Sequence, residues 1–132
     1  MQYHFEVHDY PGSLGPSLSI GFDPENAVLS GAIMDVGGGE DLLKFINQVV
    51  SANEQKNEYW TNGYTVQAGE ENGRKNIKIY FRLADGYEPC NIEPELFKKL
   101  LESWQREKEK FGQDPEAYKK ELKWRGGKKE TA

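Results

Sequence analysis

The clearest hydrophobic pattern in the chain is an alternation of apolar and polar residues on both sides of Asn72-Gly73. Asn-Gly suits a two-residue type I′ turn, because both central residues of that turn take positive φ. A turn at this position fixes one register for a β-hairpin over 62–83, since only that register keeps the apolar pairs on one face. The predicted cross-strand pairs are Glu71/Arg74, Glu70/Lys75, Ala68/Ile77, Val66/Ile79 and Tyr64/Phe81, with Thr65/Tyr80 and Gln67/Lys78 on the other face.

Two more strands are predicted near the N-terminus. Apolar side chains occupy every second position at Tyr3, Phe5 and Val7, and the alternation returns over residues 18–22. The Tyr10-Pro11-Gly12 segment interrupts the pattern, as proline and glycine do in turns. We therefore expect these two segments to pair with each other as antiparallel strands.

Residues 27–35 fit two interpretations. The alternating apolar and small residues Ala27, Leu29, Gly31 and Ile33 fit a third strand, whereas Asp23-Pro24 could open a helix. Gly31 and the glycines that follow this segment favour the strand.

Three amphipathic helices are predicted in the remainder of the chain. The first covers about 40–53 and places its apolar residues on one face. The second begins at Pro94, a residue suited to the first helical position, and ends near Gly112. A short third helix follows Asp114-Pro115. Together these elements predict an α+β fold: an antiparallel sheet of four to five strands, with a central helix and two C-terminal helices packed mainly on one face.

The length of 132 residues fits one domain, which we expect to cover 1–125 and to end in a flexible tail over 126–132. No apolar segment approaches the roughly 18 residues that a membrane span requires, so no membrane association is expected. The single Cys90 cannot form an internal disulfide, which fits a reducing compartment. The chain is therefore predicted to be cytoplasmic.

The net charge of −5 conceals a strong asymmetry along the chain. Residues 1–43 contain seven acidic residues and neither lysine nor arginine. An acidic surface attracts basic partners and accelerates their association. The seven acids are Glu6, Asp9, Asp23, Glu25, Asp35, Glu40 and Asp41.

No pattern of catalytic or metal-binding residues stands out. His4 and His8 share one side of the first strand, but four strand residues separate them by roughly 13 Å, too far for one ion. Gly37-Gly38-Gly39 is followed by two acids that would repel a phosphate. Cys90 has neither a cysteine partner nor a nearby histidine. We therefore predict no catalytic residue, no metal, no cofactor and no enzymatic activity.

Two surface features are candidates for binding. A basic C-terminal segment contains Trp124, but interspersed glutamates are typical of a solvated helix face, so nucleic-acid binding is not predicted. Tyr80, with Lys78 and Arg82, faces away from the apolar pairs of the hairpin and offers a docking surface. The C-terminal bases are Lys119, Lys120, Lys123, Arg125, Lys128 and Lys129.

The order of these segments resembles a known bacterial family. The N-terminal Met1-Gln2-Tyr3-His4-Phe5, a central helix, and Trp60-Thr61-Asn62-Gly63-Tyr64-Thr65-Val66 leading into a strand are similar to the YacL-like proteins over about residues 1–111. That resemblance implies a small bacterial protein and leaves its function open. In size, acidity and lack of catalytic motifs, the chain also resembles the immunity proteins of polymorphic-toxin systems, including contact-dependent growth inhibition. Such proteins bind a cognate toxin domain, often a basic nuclease, and block it.

These observations predict a non-catalytic immunity protein whose acids mimic phosphate in the basic cleft of a nuclease toxin. The alternative is a YacL-like housekeeping protein that forms a homodimer through the Tyr80 face, and a third is a small hydrolase that uses carboxylates. The predicted partner-binding residues are Asp9, Asp23, Glu25, Asp35, Glu40, Asp41 and Tyr80.

Overall fold

The computed structural model describes residues 1–10, 12, 15–35, 40–53, 56–124 and 130–131, and it shows an α+β fold. This class is the one predicted from the sequence. In chain order the elements are β1 (Gln2–Tyr10), β2 (Gly15–Asp23), α1 (Ala27–Asp35), α2 (Glu40–Val50), β3 (Glu58–Trp60), β4 (Tyr64–Glu71), β5 (Arg74–Phe81), β6 (Cys90–Ile92), α3 (Pro94–Gln113), α4 (Pro115–Trp124) and β7 (Glu130–Thr131).

The strands are antiparallel, as predicted, but they are divided between two sheets. One sheet has the order β2-β1-β7 and the other has the order β3-β4-β5-β6. Both sheets contribute to a single core, in which Phe5 of β1 stacks on Trp104 of α3 at 6.4 Å between ring centroids. On the other sheet, Ile77 and Ile79 of β5 are completely buried in the same core. The helices α1 and α3 contact strands of both sheets and therefore lie between the two apolar sheet faces.

The hairpin between β4 and β5 has the predicted register at every pair from Glu71/Arg74 to Tyr64/Phe81. Asn72 and Gly73 both have positive φ, at 53° and 76°, as the type I′ turn requires. The predicted apolar face is the buried one, because Val66, opposite Ile79, has no exposed surface. Turn chemistry and hydrophobic pattern thus determined the pairing together.

Residues 27–35 form the helix α1, so the preference for a strand was wrong. The Asn26 side chain caps the helix by accepting the Leu29 N–H at 3.1 Å. The buried residues of α1 are Val28, Leu29, Ala32 and Ile33, a spacing that follows the 3.6-residue period of a helix. The strand interpretation rested on every second residue and left out Val28 and Ala32, which are also buried.

The other helices begin where they were predicted. Pro94 opens α3 at its first turn, and Asp114 caps α4 by accepting the Ala117 N–H at 3.1 Å. The helix α2 ends at Val50 rather than Asn53, and Lys75 Nζ donates to the Val49 carbonyl at 2.6 Å near that end. None of the helices in the described part of the chain has both the length and the apolarity to cross a membrane.

Three short strands were not predicted. The strands β3 and β6 are the two edges of the four-stranded sheet. Within the predicted flexible tail, Glu130 and Thr131 form β7 and pair with Tyr3 and Gln2 of β1. The other residues of that tail lie outside the described part of the chain.

The helix α1 approaches the four-stranded sheet closely at Gly31. A Cβ atom on Gly31 would overlap the Tyr64 hydroxyl and lie 2.7 Å from Tyr64 Cζ. We therefore expect Gly31→Ala to lower the free energy of unfolding by about 1–3 kcal/mol, as overpacking does in a filled core. Urea denaturation followed by circular dichroism would measure this loss.

Gly112 of α3 provides a matched control, because it is also a helical glycine, but a Cβ atom added to it would meet no described atom beyond its own helical turn within 4 Å. Alanine is favoured over glycine in a helix by about 1 kcal/mol, so Gly112→Ala should leave stability unchanged or raise it. Equal effects of the two substitutions would show that the close approach at Gly31 is unimportant.

Candidate functional site

The turn that connects β3 to β4, residues 61–63, is held by the carboxylate of Asp35 at the end of α1. The Thr61 hydroxyl donates to Asp35 Oδ2 at 2.6 Å, and the Gly63 N–H donates to the same oxygen at 2.9 Å. The Thr61 oxygen also accepts the Tyr64 N–H at 3.0 Å. Three hydrogen bonds thus fix the backbone of a short turn.

Arg82 holds the same turn from the other side of the sheet. Its guanidinium donates to the carbonyl oxygens of Thr61 and Asn62, the latter at 3.1 Å. The guanidinium also lies over the Trp60 ring, 4.5 Å from the centroid. The position of Trp60 is therefore set by a turn that is anchored by two charged residues of opposite sign.

Large apolar side chains are exposed around this turn. Trp60 is 59% exposed, Leu83 is 69% exposed and Tyr87 is 55% exposed. Phe81 connects Tyr87 to Tyr64, because its ring lies 5.1 Å from the rings of both. We call this set of residues the turn-end surface: Trp60, Tyr64, Phe81, Leu83 and Tyr87.

Acidic residues surround the turn-end surface. Burial raises the pKa of Tyr64, and the nearby charge of Asp35 raises it further. Burial likewise raises the pKa of Tyr59, the neighbour of Trp60, and Asp41 of α2 adds to that shift. The 82–89 loop adds the exposed acid Asp85 between Leu83 and Tyr87. Carboxylates from three separate segments therefore lie at this end of the molecule.

The structure does not bring the predicted acids together in one patch. Asp23 is opposite Gln2 at one end of the β1–β2 hairpin, while Asp9 is opposite Pro16 near the other end. The Gln2/Asp23 pair and the Asp9/Pro16 pair are seven positions apart along β1, or roughly 23 Å. Asp9 also forms an ion pair with Lys119 of α4, with Oδ2 and Nζ 2.9 Å apart. It lies apart from the turn-end surface.

The remaining predicted acids occupy three regions. Glu25 is exposed on the connection between β2 and α1, next to Asp23. Glu40 and Asp41 are exposed in the first turn of α2, where negative charge complements the helix dipole. Asp35 is half-buried, and its hydrogen bonds give it a structural role. Of the predicted acids, Asp35 contacts the turn itself, and Asp41 lies near enough to Tyr59, the neighbour of Trp60, to raise its pKa.

Tyr80 projects from the outer face of the four-stranded sheet, as the hairpin pattern indicated. It is opposite Thr65, which is in turn opposite Trp60, so the three residues form one row across β5, β4 and β3. The Lys78 ammonium lies 5.4 Å from the centroid of the Tyr80 ring. Tyr80 is half-buried by these neighbours.

The two histidines converge on one carboxylate of the first strand. His4 Nε2 lies 2.8 Å from Glu6 Oε1, and His8 Nε2 lies 3.4 Å from Glu6 Oε2. Ser19 Oγ also contacts His8 through the same Nε2, at 2.9 Å. A Ser-His-acid relay requires the two partners on different ring nitrogens, so this group does not have that arrangement. Across the described ranges, no three histidine, cysteine or acidic side chains are placed to hold a metal ion.

Cys90 is a buried residue of β6. Burial raises the pKa of its thiol, while a hydrogen bond from Asn26 Nδ2, 3.4 Å from Sγ, lowers it in part. Thiolates are the reactive form of cysteine, so this environment disfavours a nucleophile. The side chain belongs to the core.

Two sequence features are only partly covered by the structure. Gly37-Gly38-Gly39 lies outside the described residues, as do Arg125, Lys128 and Lys129 of the basic segment. Of the bases that are described, Lys119 is paired with Asp9, while Lys120 and Lys123 are exposed on α4.

The turn-end surface was not found from the sequence, although a signal was present. Leu83 ends the predicted hairpin, and Tyr87 lies in the connection between that hairpin and the helix that begins at Pro94. Apolar side chains in a loop can be buried or can serve binding, and only the fold decides between the two. Comparison of the chain with family models, with curated proteins and with solved structures finds no match.

The hydrogen bonds of Asp35 generate a prediction about stability. Asp35→Ala leaves the buried Gly63 N–H without its acceptor, so we expect a loss of about 1–3 kcal/mol in the free energy of unfolding. Asp35→Asn should lose less, since an amide oxygen can still accept both hydrogen bonds. Urea denaturation would give the three values.

Asp85→Ala is the control for the loss of one acid from the same end of the molecule. Asp85 is exposed, so its removal should change stability by less than about 0.5 kcal/mol. If Asp35→Ala were as harmless as Asp85→Ala, the turn would not depend on the carboxylate of Asp35.

Proposed function

We propose that this protein is a bacterial immunity protein that binds and occludes a cognate toxin domain, and that the turn-end surface makes the contact. The observation that supports this most directly is the exposure of Trp60, Leu83 and Tyr87 around an anchored turn. Exposed apolar patches on soluble domains mark interaction sites. Tryptophan, tyrosine and arginine are the residues that contribute most to binding at protein interfaces.

The anchored turn favours tight binding. Ordering a mobile loop on association costs free energy and weakens the complex. Here the 61–63 turn is already fixed by Asp35 and Arg82 before any partner arrives. Trp60 is thereby presented in a defined position, as expected of an anchor residue.

The charge around the turn-end surface favours a basic partner. Asp41, Asp85 and Glu88 are exposed near the aromatic residues and can pair with lysine or arginine of a nuclease cleft. Asp9, by contrast, is paired with Lys119 at another site. The proposed contact therefore includes only part of the acidic set suggested by the sequence, and it adds residues of the 82–89 loop. A toxin of this kind would be neutralised in the cytoplasm.

The YacL-like housekeeping protein is the alternative, and the uncovered sheet face supports it. The row of Trp60, Thr65 and Tyr80 contains no buried residue, so a second copy could pack there as a homodimer. Light scattering separates this alternative from a monomer that waits for a toxin.

The proposed function predicts capture of a specific toxin. Affinity-tagged protein, incubated with extract of its source bacterium at low salt, should retain a basic protein that mass spectrometry identifies. Leu83→Asp should abolish this retention, because it places a charge in the centre of the apolar contact. Expressed alone, the captured protein should stop bacterial growth, and co-expression of the wild-type chain should restore growth.

Asp9→Lys is a matched control, since it changes the charge of an exposed acid distant from the turn end. It should retain the toxin and restore growth like the wild type. Capture of a protein that is harmless when expressed, or equal growth rescue by Leu83→Asp, would contradict the proposal. A stable dimer that captures nothing would favour the housekeeping alternative.

A further inference from the structure

The outer face of β5 presents a regular row of polar and basic residues that the proposed function does not use. Residues at every second position point away from the core, whose side of β5 carries the completely buried Ile77 and Ile79. None of the outward residues is buried, so none of the described elements covers this face. The row along β5 consists of Arg74, Asn76, Lys78 and Tyr80, and Arg82 continues it beyond the strand.

The bases of this row stand out against an acidic protein. Arg74, Lys78 and Arg82 occur at intervals of four residues, which places each roughly 13 Å from the next along the strand. Arg74 faces Glu71 at the tip of the hairpin, where its charge is balanced. Lys78 lies on the inner strand β5 and Arg82 lies just beyond its end, while the acid Glu58 lies in the row of Lys78 on the edge strand β3. The bases of the face therefore follow an inner strand, and its acids lie at the hairpin tip and at the edge.

Aromatic rings alternate with these cations. Tyr80 lies between Lys78 and Arg82 along β5, and Trp60 lies in the same row two strands away. The Lys78 ammonium is 5.4 Å from the Tyr80 ring, and the Arg82 guanidinium is 4.5 Å from the Trp60 ring. Flat rings beside cations can stack with nucleobases while the cations meet the phosphates.

The remaining side chains of the face are hydrogen-bonding amides. Gln67 is opposite Lys78, which is opposite Asn91 of β6, and Asn76 Nδ2 donates to Asn91 Oδ1 at 3.0 Å. Amides can read the exposed edges of unpaired bases. On the four strands, the outer face carries no aliphatic side chain larger than threonine. Most protein interfaces, by contrast, have an apolar centre.

We infer that the outer face of the four-stranded sheet binds single-stranded nucleic acid, with Tyr80 and Trp60 as stacking platforms and Lys78 and Arg82 as phosphate contacts. Double-stranded DNA is a poor fit. Three inter-strand spacings make the sheet about 14 Å wide before side chains are added, wider than the major groove of about 12 Å. This inference does not depend on the proposed function, because its central residues Lys78 and Tyr80 lie outside the turn-end surface.

The test is fluorescence anisotropy with the full chain and a labelled 12-nucleotide oligo-dU or oligo-rU at 50 mM salt. Tyr80→Ala should weaken binding about tenfold, since one stacked base contributes roughly that factor. Lys78→Ala should weaken binding and reduce the slope of log affinity against log salt concentration by about 0.7, the value for one lost phosphate contact on a single strand. A duplex of the same length should bind more weakly than the single strand.

Two controls separate this face from the other candidate surfaces. Lys120→Ala with Lys123→Ala removes exposed bases of α4, and Leu83→Ser alters the turn-end surface without adding a charge beside Arg82; both should leave oligonucleotide affinity within twofold of the wild type. Absence of binding at 50 mM salt would overturn the inference. So would loss of binding in the α4 variant alone, equal binding of duplex, or full affinity of the Tyr80→Ala and Lys78→Ala variants. If the outer face contacts a protein instead, the chain would bind no oligonucleotide, and Tyr80→Ala would impair capture of that protein.

Discussion

The carboxylate of Asp35 joins the helix α1 to the four-stranded sheet, and the arrangement of the exposed surfaces depends on that connection. One oxygen of Asp35 accepts hydrogen bonds from Thr61 and from the buried backbone of Gly63. Without this carboxylate, the buried Gly63 N–H would lose its acceptor. With the turn fixed, Trp60 and the start of β4 are fixed as well, and the helix can approach the sheet at Gly31.

The fold could be predicted from the sequence wherever the determining contacts are local. The β4–β5 register follows from a turn dipeptide and a period of two, and both signals lie within 20 residues. The helix α1 was missed because its glycine suggested a strand. That glycine is explained by Tyr64, 33 positions later in the chain, whose ring lies against it. The division into two sheets likewise depends on how helices and hairpins pack around one core. A local sequence pattern does not predict that packing.

The candidate site was less accessible to sequence reasoning for the same physical reason. A continuous base-free segment suggested one acidic patch, yet antiparallel pairing places Asp9 and Asp23 in distant rows of one hairpin. Charge along a chain does not determine charge across a surface, since each strand residue advances about 3.3 Å and successive residues face opposite sides. Tyr80 was placed correctly because its orientation follows from strand alternation alone. Leu83 and Tyr87 required knowledge of how the 82–89 loop packs on Phe81.

Trp60 belongs to both surfaces, with Arg82 of the outer face against its ring, and this shared corner relates the two proposals to each other. The indole lies over the Arg82 guanidinium and is also the most exposed aromatic ring beside the turn. A protein that covered Trp60 from the turn end would remove one of the two stacking platforms from the outer face. The two surfaces differ in charge because different elements supply their residues. The acids come from helix ends and the 82–89 loop, while the bases come from alternate positions along β5 and its continuation at Arg82. A basic partner at the turn end and a single strand on the sheet would therefore compete for the indole of Trp60, even though their charges favour different regions of the protein.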